Sequence, residues 1–451
     1  MFHMLNLVLA CAARRQKIQH MKQLRKRHDA FCATDIKVGR PHLESTMKIQ
    51  SAINLEDLRR MARRKLPRIA FDFIDGGSDD EHCMARNREA FARHKLVPRY
   101  LRDVSKLDQS VSLFGHRYAS PMGISPTGLA GLWRPDADLM QAAAARVANV
   151  PFLLSSSSNA SLEDTIRIAP DNVWFQMYCT RDENINADLV QRAIRAQVRV
   201  LVITIDVPVN SNRERNKRNG FSRPFRMTPS VVLEALGHPA WVLRYLRTGG
   251  VPMMCNWQPY APAGANAGEV ADMFGTLTPA PMVNWDHVER VRHAWKGPLM
   301  IKGLMHPQDA QRAMQIGADG IVVSNHGGRQ LDAAPSPIEM LPAIRQAVGS
   351  RATLIVDSGV RRGSDVVIAR CLGADSVIFG RPSLYGVAVA GQAGVQRALQ
   401  IVRNEINMVL TQLGCAQYEA LDESYLLNPP ALAAGDATHQ QSSVTSLRQS
   451  A

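Results

Sequence analysis

A parallel (β/α)8 barrel of the TIM type, with a helical segment before it and a long insertion after its fourth strand, is the fold class that the sequence predicts. Three observations point to it. Eight short, continuous apolar runs lie between residues 121 and 381. Each is followed by a glycine or polar residue and then by a helical pattern, as expected for parallel strands covered on their outer face by helices. Their starts are separated by 30, 22, 27, 98, 22, 33 and 23 residues, so six of seven intervals suit one strand–loop–helix unit. Eight such units close a barrel. The first run is followed by PTGLAG, not by the G-x-G-x-x-G that would open a doubly wound dinucleotide-binding sheet.

The chain ends read differently from its middle. Of the 54 Lys and Arg that against 40 acids give the formal charge of +14, nine fall in residues 1–46 beside only three acids. The apolar run MLNLVLAC at residues 4–11 is short, and bases follow it instead of preceding it, which does not suit a signal peptide. At Met47 the pattern changes to MKIQSAINLEDLRRMARRKLP, with amphipathic helical spacing and Asn54 as a cap. We therefore expect a disordered basic leader over 1–46 that is extra translated sequence, with Met47 as the biological start, a barrel domain over 47–425, and a mobile tail over 426–451. Seven cysteines without a C-x-x-C pair suggest neither a disulfide framework nor a metal site, and a reducing cytoplasm fits them. No stretch reaches the roughly 20 apolar residues of a membrane span.

In order, the runs are PMGISPTG from 121, PFLLSS from 151, VWFQMY from 173, VLVITID from 200, PLMIKG from 298, GIVVSNH from 320, TLIVDSG from 353 and SVIFGR from 376. Barrel chemistry sits where strands end. Those ends carry Thr127 and Gly128, Ser155, Gln176 and Tyr178, Thr204 and Asp206, Lys302, Ser324 and His326, Asp357 and Gly359, and Gly380 and Arg381. One polar residue at a strand end is ordinarily a cap; eight strands all ending so exceed what capping needs. DSGVRRG after the seventh strand and GR after the eighth combine close-approach glycines with arginine, as a phosphate site requires.

The 98-residue interval places an insertion at about 213–285. Its first part, residues 213–250, carries eight bases and two acids. SVVLEALGHPAWVLRYLR sets apolar and aromatic residues among those bases, which suits a membrane interface or a lid on the barrel. Pro239 argues against one continuous helix. Charge alone would be the support for nucleic acid, so no nucleic-acid partner is expected.

SNHGGRQLD at 324–332, with KLPRIAFDFIDGGSDDE, SPTGLAG, WFQMY, ITIDVPVNSNRERN, MIKG and VDSGVRRGSD, resembles the FMN-dependent 2-hydroxy acid dehydrogenase and oxidase family, which includes L-lactate and mandelate dehydrogenases and glycolate oxidase. The resemblance covers about residues 48–425. It implies FMN as cofactor, an (S)-2-hydroxy acid as substrate, and a homotetramer. The long basic insertion looks most like that of the membrane-associated members, which implies a location on the inner face of the cell membrane and a quinone or cytochrome acceptor. His326 matches the family's base and Asp206 the carboxylate that orients it. Arg213 and Arg329 match the arginines at the substrate carboxylate. Tyr178 matches the tyrosine on the substrate side and Lys302 the lysine near the flavin's pyrimidine edge. Pro126, Thr127, Gly128, Ser155, Gln176, Thr204 and Ser324 match ring or ribityl contacts; Asp357, Ser358, Gly359, Arg361, Gly380 and Arg381 match the ribityl and phosphate end.

Two positions depart from the family pattern. Phe73 stands where a tyrosine usually helps hold the substrate carboxylate. Either Arg213, Arg329 and Tyr178 compensate for the lost hydroxyl or, as we favour, the pocket is wider or more apolar and suits a larger 2-hydroxy acid than lactate. Ser358 stands where glycine is usual. Gly128 is shared with members that avoid oxygen, where oxidases often have alanine, so a dehydrogenase is expected. An oxidase, an enzyme of an unusual larger substrate, and an inactive membrane-bound scaffold are the alternatives; a scaffold would have no need of His326, Asp206, Arg213, Arg329 and Lys302.

Overall fold

The computed structural model describes residues 49–221, 228–248 and 250–429. The expected leader, and the tail from residue 430 on, lie outside the described residues. A short antiparallel hairpin, β1 (Val111–Leu113) and β2 (His116–Tyr118), precedes the barrel. The barrel strands are β3 (Met122–Ile124), β4 (Phe152–Ser155), β5 (Val173–Tyr178), β6 (Leu201–Thr204), β7 (Leu299–Leu304), β8 (Gly320–Val323), β9 (Thr353–Asp357) and β10 (Ser376–Phe379). They close in chain order, with β10 pairing back onto β3, and every barrel pair is parallel. Each of the eight apolar runs therefore contains one strand.

Alternation along these strands sorts the core into two layers. Leu153, Trp174, Val202, Met300, Val322, Ile355 and Ile378 fill the barrel. Their neighbours Leu154, Phe175, Ile203, Ile301, Val323, Val356 and Phe379 face the surrounding helices. The β1–β2 hairpin packs Val111, Leu113 and Tyr118 into the inner layer, and the Trp174 indole N–H donates to the Tyr118 hydroxyl at 3.0 Å. This plug was not foreseen from the sequence. Its strands are three residues long, and its tight turn rests on Phe114 and Gly115, both at positive φ.

Ahead of the barrel, the helix Leu55–Lys65 begins at Asn54, whose side chain accepts from the Asp57 amide at 2.9 Å. After Pro67, the helix Arg68–Asp75 is buried along most of its length and ends at Asp75, itself only 3% exposed. The Asp75 carboxylate takes Arg59 at 2.6 Å, Arg215 at 3.0 Å and the Tyr385 hydroxyl at 2.7 Å. One buried charge thus ties the first two helices to the insertion and to the helix Arg381–Ala390. Burial would push this carboxyl up, but hydrogen bonds from Arg59 and Tyr385 and the Arg59 and Arg381 charges hold it well below the usual range.

The insertion folds as short helices Glu214–Arg218, Pro229–Leu236, Pro239–Arg247 and Ala267–Leu277 before the barrel resumes with the helix Trp285–Ala294. The basic apolar stretch breaks at Gly237 and His238, and Pro239 opens the second helix, where its missing N–H costs nothing. At the other end, Leu426 is buried and bridged to Leu96, and the Leu427 amide donates to Lys95. Packing therefore continues past the boundary expected at residue 425.

Ser358, just beyond β9, adopts φ +99, a conformation that suits glycine. Its hydroxyl accepts from the Gly327 amide at 2.9 Å and so holds the turn that follows β8. Replacing Ser358 by Gly relieves about 1 kcal/mol of backbone strain and forfeits a hydrogen bond of similar worth, so urea melts of Ser358→Gly should match the parent to within about 1 kcal/mol. Ser358→Ala keeps the strain and loses the bond, and should be destabilised relative to Ser358→Gly. Asp75→Asn should cost about 2 kcal/mol at neutral pH, because a neutral amide replaces the buried charge that Arg59, Arg215 and Tyr385 share, although Arg59 keeps Glu56 and Arg215 keeps Glu81. Since the folded carboxyl is depressed, that contribution is present above the ordinary carboxylate value of about 4 and is lost as pH falls through the folded value; the gap between parent and variant should narrow accordingly.

Candidate active site

A cavity of about 380 Å³ opens at the carboxyl ends of the strands. Pro126, Thr127, Gly128, Tyr178, Arg213, Lys302, His326, Arg329, Asp357, Ser358, Gly359, Arg361, Gly380 and Arg381 all line it. Asp206, Ser155, Gln176, Thr204 and Ser324 are outside that lining and stand behind it. The Ser155 hydroxyl bonds Gln176 and Ser157, while Ser324 bonds Lys302 and Asp357.

Four charged or titratable groups from four strand ends are linked in a row. His326 Nδ1 lies 2.8 Å from Asp206 Oδ1. A carboxylate only accepts, so the ring proton sits on Nδ1 and the Nε2 lone pair is left for the cavity. Lys302 Nζ lies 4.0 Å from Asp206 and 3.0 Å from Asp357, and Asp357 also accepts from Ser125 and Ser324. Gly303, at φ +103, allows this approach, because a Cβ there would sit 2.6 Å from that of Asp206. Burial, the largest influence, lowers the imidazole below its ordinary value despite the Asp206 charge. Burial also works against ionised Asp206, but His326 and Lys302 outweigh it and keep the carboxyl low. Lys302 is discharged by burial and recharged by Asp357 and Asp206, with a net rise. The resting row is a neutral histidine, two carboxylates and one ammonium.

Arg329 and Arg213 supply a second, positive region. Burial and then the charges of Arg213 and Arg381 depress Arg329, which donates to the carbonyls of Ile74 and Gly76 and stands 5.6 Å over the Phe73 ring. An anion entering here relieves that repulsion. Tyr178 is pushed up to about 12, first by burial and then by the Asp206 charge, so its hydroxyl remains a donor at neutral pH. Phe73 is stacked on Phe221 at 4.6 Å. Together with Val207, Met254 and Phe274 these rings make an apolar wall. Phe221, Met254 and Phe274 come from the insertion and carry no motif; the reading of that segment as a lid was the available signal.

At the other end of the cavity, Arg361 donates to its neighbour's Val360 carbonyl, whereas Arg381 spends Nε, Nη1 and Nη2 on the carbonyls of Ile74, Gly327 and Gly76. Arg381 is therefore also a clamp between the helix Arg68–Asp75 and the His326 turn. The buried polar atoms Thr127 Oγ1, Gln176 Nε2 and Thr204 Oγ1 have no partner. Three unfilled hydrogen-bonding atoms at the ends of β3, β5 and β6 fit the polar edge of a flavin. Gly359 and Gly128 have no room for a side chain, since a Cβ would come within 2.1 Å of Asn87 O and 2.2 Å of Ser157 Oγ.

The comparisons with known proteins agree with this arrangement. The family described as FMN-dependent dehydrogenase matches residues 62–428. (S)-mandelate dehydrogenase of Pseudomonas putida is 38% identical over 379 residues, covering 84% of this chain and 95% of that one. L-lactate dehydrogenase of Caulobacter vibrioides is 41% identical over 372 residues, covering 82% and 96%. The crystal structure of the monotopic membrane protein (S)-mandelate dehydrogenase superposes with a TM-score of 0.80 at 37% identity, covering 84% of this chain and all of that one. The chain belongs to the FMN-dependent dehydrogenase family, and it is an enzyme with FMN as its cofactor.

Proposed function

We propose that this enzyme oxidises an (S)-2-hydroxy acid of the lactate or mandelate type, with a preference for a bulky or aryl side chain, and passes the electrons to a quinone or cytochrome at a membrane surface. The observation that carries the reading is the 2.8 Å His326–Asp206 pair beside the arginine-rich end of the cavity. In this reading His326 Nε2 takes up a substrate proton, and Asp206 holds the ring and stabilises the imidazolium that forms. Arg329 and Arg213 grip the substrate carboxylate, and Tyr178 donates to a substrate oxygen. Lys302 holds positive charge at the flavin edge. FMN, when bound, accepts the two electrons. Pro126, Thr127, Gly128, Ser155, Gln176, Thr204 and Ser324 are assigned to its ring and ribityl, and Asp357, Ser358, Gly359, Arg361, Gly380 and Arg381 to its ribityl and phosphate.

The side-chain preference rests on Phe73, Phe221 and Phe274, which offer rings and no hydroxyl. The membrane surface rests on the monotopic relative and on the insertion, where Leu233 is 74% and Leu246 66% exposed. No helix among the described residues is long and apolar enough to cross a membrane. Family resemblance supports a homotetramer, which sedimentation equilibrium would read as four times the chain mass.

Anaerobic titration of the flavin absorbance with (S)- and (R)-acids of increasing size is the direct test: bleaching by (S)-mandelate at lower concentration than by (S)-lactate is expected, and bleaching by none overturns the reading. Phe73→Tyr should lower KM for lactate about tenfold through a charged hydrogen bond worth roughly 1.5 kcal/mol or more; an unchanged KM removes that position from the carboxylate contact. His326→Gln should reduce kcat at least about a hundredfold. The neutral imidazole is the active form, so the acid limb of kcat/KM for the free enzyme should fall below the ordinary histidine value of about 6.5.

A further inference from the structure

Ser211 lines the active-site cavity but is not among the groups assigned to substrate or flavin. It stands in the turn between β6 and the helix Glu214–Arg218, two residues before Arg213. Bonds to other parts of the chain fix that turn. The Asn212 carbonyl accepts from the Asp79 amide at 2.9 Å, and the Asn212 side chain donates to Asp79 Oδ1 at 2.8 Å and accepts from Lys217 Nζ at 2.6 Å. Further along, Arg215 is held by Asp75 and Glu81. Asn212 is exposed and outside the cavity lining, whereas Ser211 and Arg213 on either side of it are half-buried and belong to that lining.

The two side chains meet there. Arg213 Nε donates to the Ser211 hydroxyl at 3.0 Å, and the Arg213 amide donates to the Ser211 carbonyl at 3.0 Å. A guanidinium carries only donors, so the serine oxygen accepts from Arg213 and its own proton is turned away from it. Among the described residues no other group takes that proton. With Nε spent on the serine, a carboxylate can be met by Arg213 only through its Nη atoms, and the plane of the fork is set by the serine contact. Phe73, in the same lining, offers a ring stacked on Phe221 and no hydroxyl.

We infer that Ser211 is a further binding residue for the substrate: its hydroxyl orients Arg213 and donates its own proton to the same carboxylate. This rests on the 2-hydroxy acid reading above and adds a group that recognises the acid end. A carboxylate offers about four lone-pair directions, so it can accept from guanidinium donors and a hydroxyl at once. The hydroxyl comes from the turn after β6 and not from the helix Arg68–Asp75, which leaves the position of Phe73 to the apolar wall. Recognition of the acid end and of the side chain are thereby divided between different elements, and an acid end held in this way serves lactate and mandelate alike.

The test titrates the FMN-loaded, full-length protein anaerobically with (S)-lactate and with (S)-mandelate and reads the concentration that half-saturates the rate of flavin bleaching. Ser211→Ala should raise that concentration about tenfold, as the loss of a hydrogen bond to a charged group does, and by the same factor for both acids. Ser211→Thr keeps a hydroxyl and should recover most of the loss. Should Ser211→Ala fail to hold flavin, Ser211→Cys, close to serine in size but a weak donor, should show the same equal rise for the two acids. Half-saturation at the parent's concentration for both acids overturns the inference and leaves the 2-hydroxy acid reading standing. A rise confined to mandelate also overturns it, because Ser211 would then support the apolar wall. A parent whose flavin neither acid bleaches overturns both.

Discussion

One ammonium shared between two buried carboxylates is the constraint on which the mouth of this barrel depends. Lys302 reaches both Asp206 and Asp357, and without it two anions would face each other in a space largely closed to water. With it, Asp206 stays ionised and can hold the His326 ring, while Asp357 stays ionised and collects Ser125 and Ser324. The row draws on β7 and β9 and on residues just beyond β6 and β8. Parallel pairing of four consecutive strands brings these ends to one edge of the sheet, although they are far apart in sequence.

A second buried carboxylate fixes what covers this floor. Asp75 anchors Arg59, Arg215 and Tyr385, and Arg381 fastens the same helix end to the Gly327 carbonyl. Phe73 sits two residues before Asp75 and lies against Phe221 of the insertion. The apolar wall is thus assembled from distant parts of the chain, and its placement is electrostatic although its surface is aromatic.

The barrel was legible because each strand is a continuous apolar run bounded by glycine or a polar residue, and because the spacing repeats. The strand-end residues were legible for the same reason: a parallel barrel turns them all to one mouth. The hairpin beneath the barrel escaped because three residues are too few to show a period. Phe221, Met254 and Phe274 escaped because an aromatic or methionine on a helical insertion looks like any core residue until the fold turns it inward. Asp75 was within a quoted motif, yet its partners Arg59, Arg215 and Tyr385 are up to 310 residues away in sequence, and no local pattern announces such a meeting. Ser358 was visible as an unusual residue, but only the backbone angle shows that it occupies a glycine's conformation and uses its hydroxyl there.

Closure of the barrel has a further consequence. A sheet that ends where it began has no free row of amides and carbonyls for another chain to extend, and among the described residues the one separate hairpin has strands of only three residues. Backbone pairing within the barrel is saturated. Whatever this protein adheres to, the barrel strands offer it no edge to extend, and the densest group of exposed leucines among the described residues, Leu233, Leu236, Leu243 and Leu246, lies in the insertion, away from those strands.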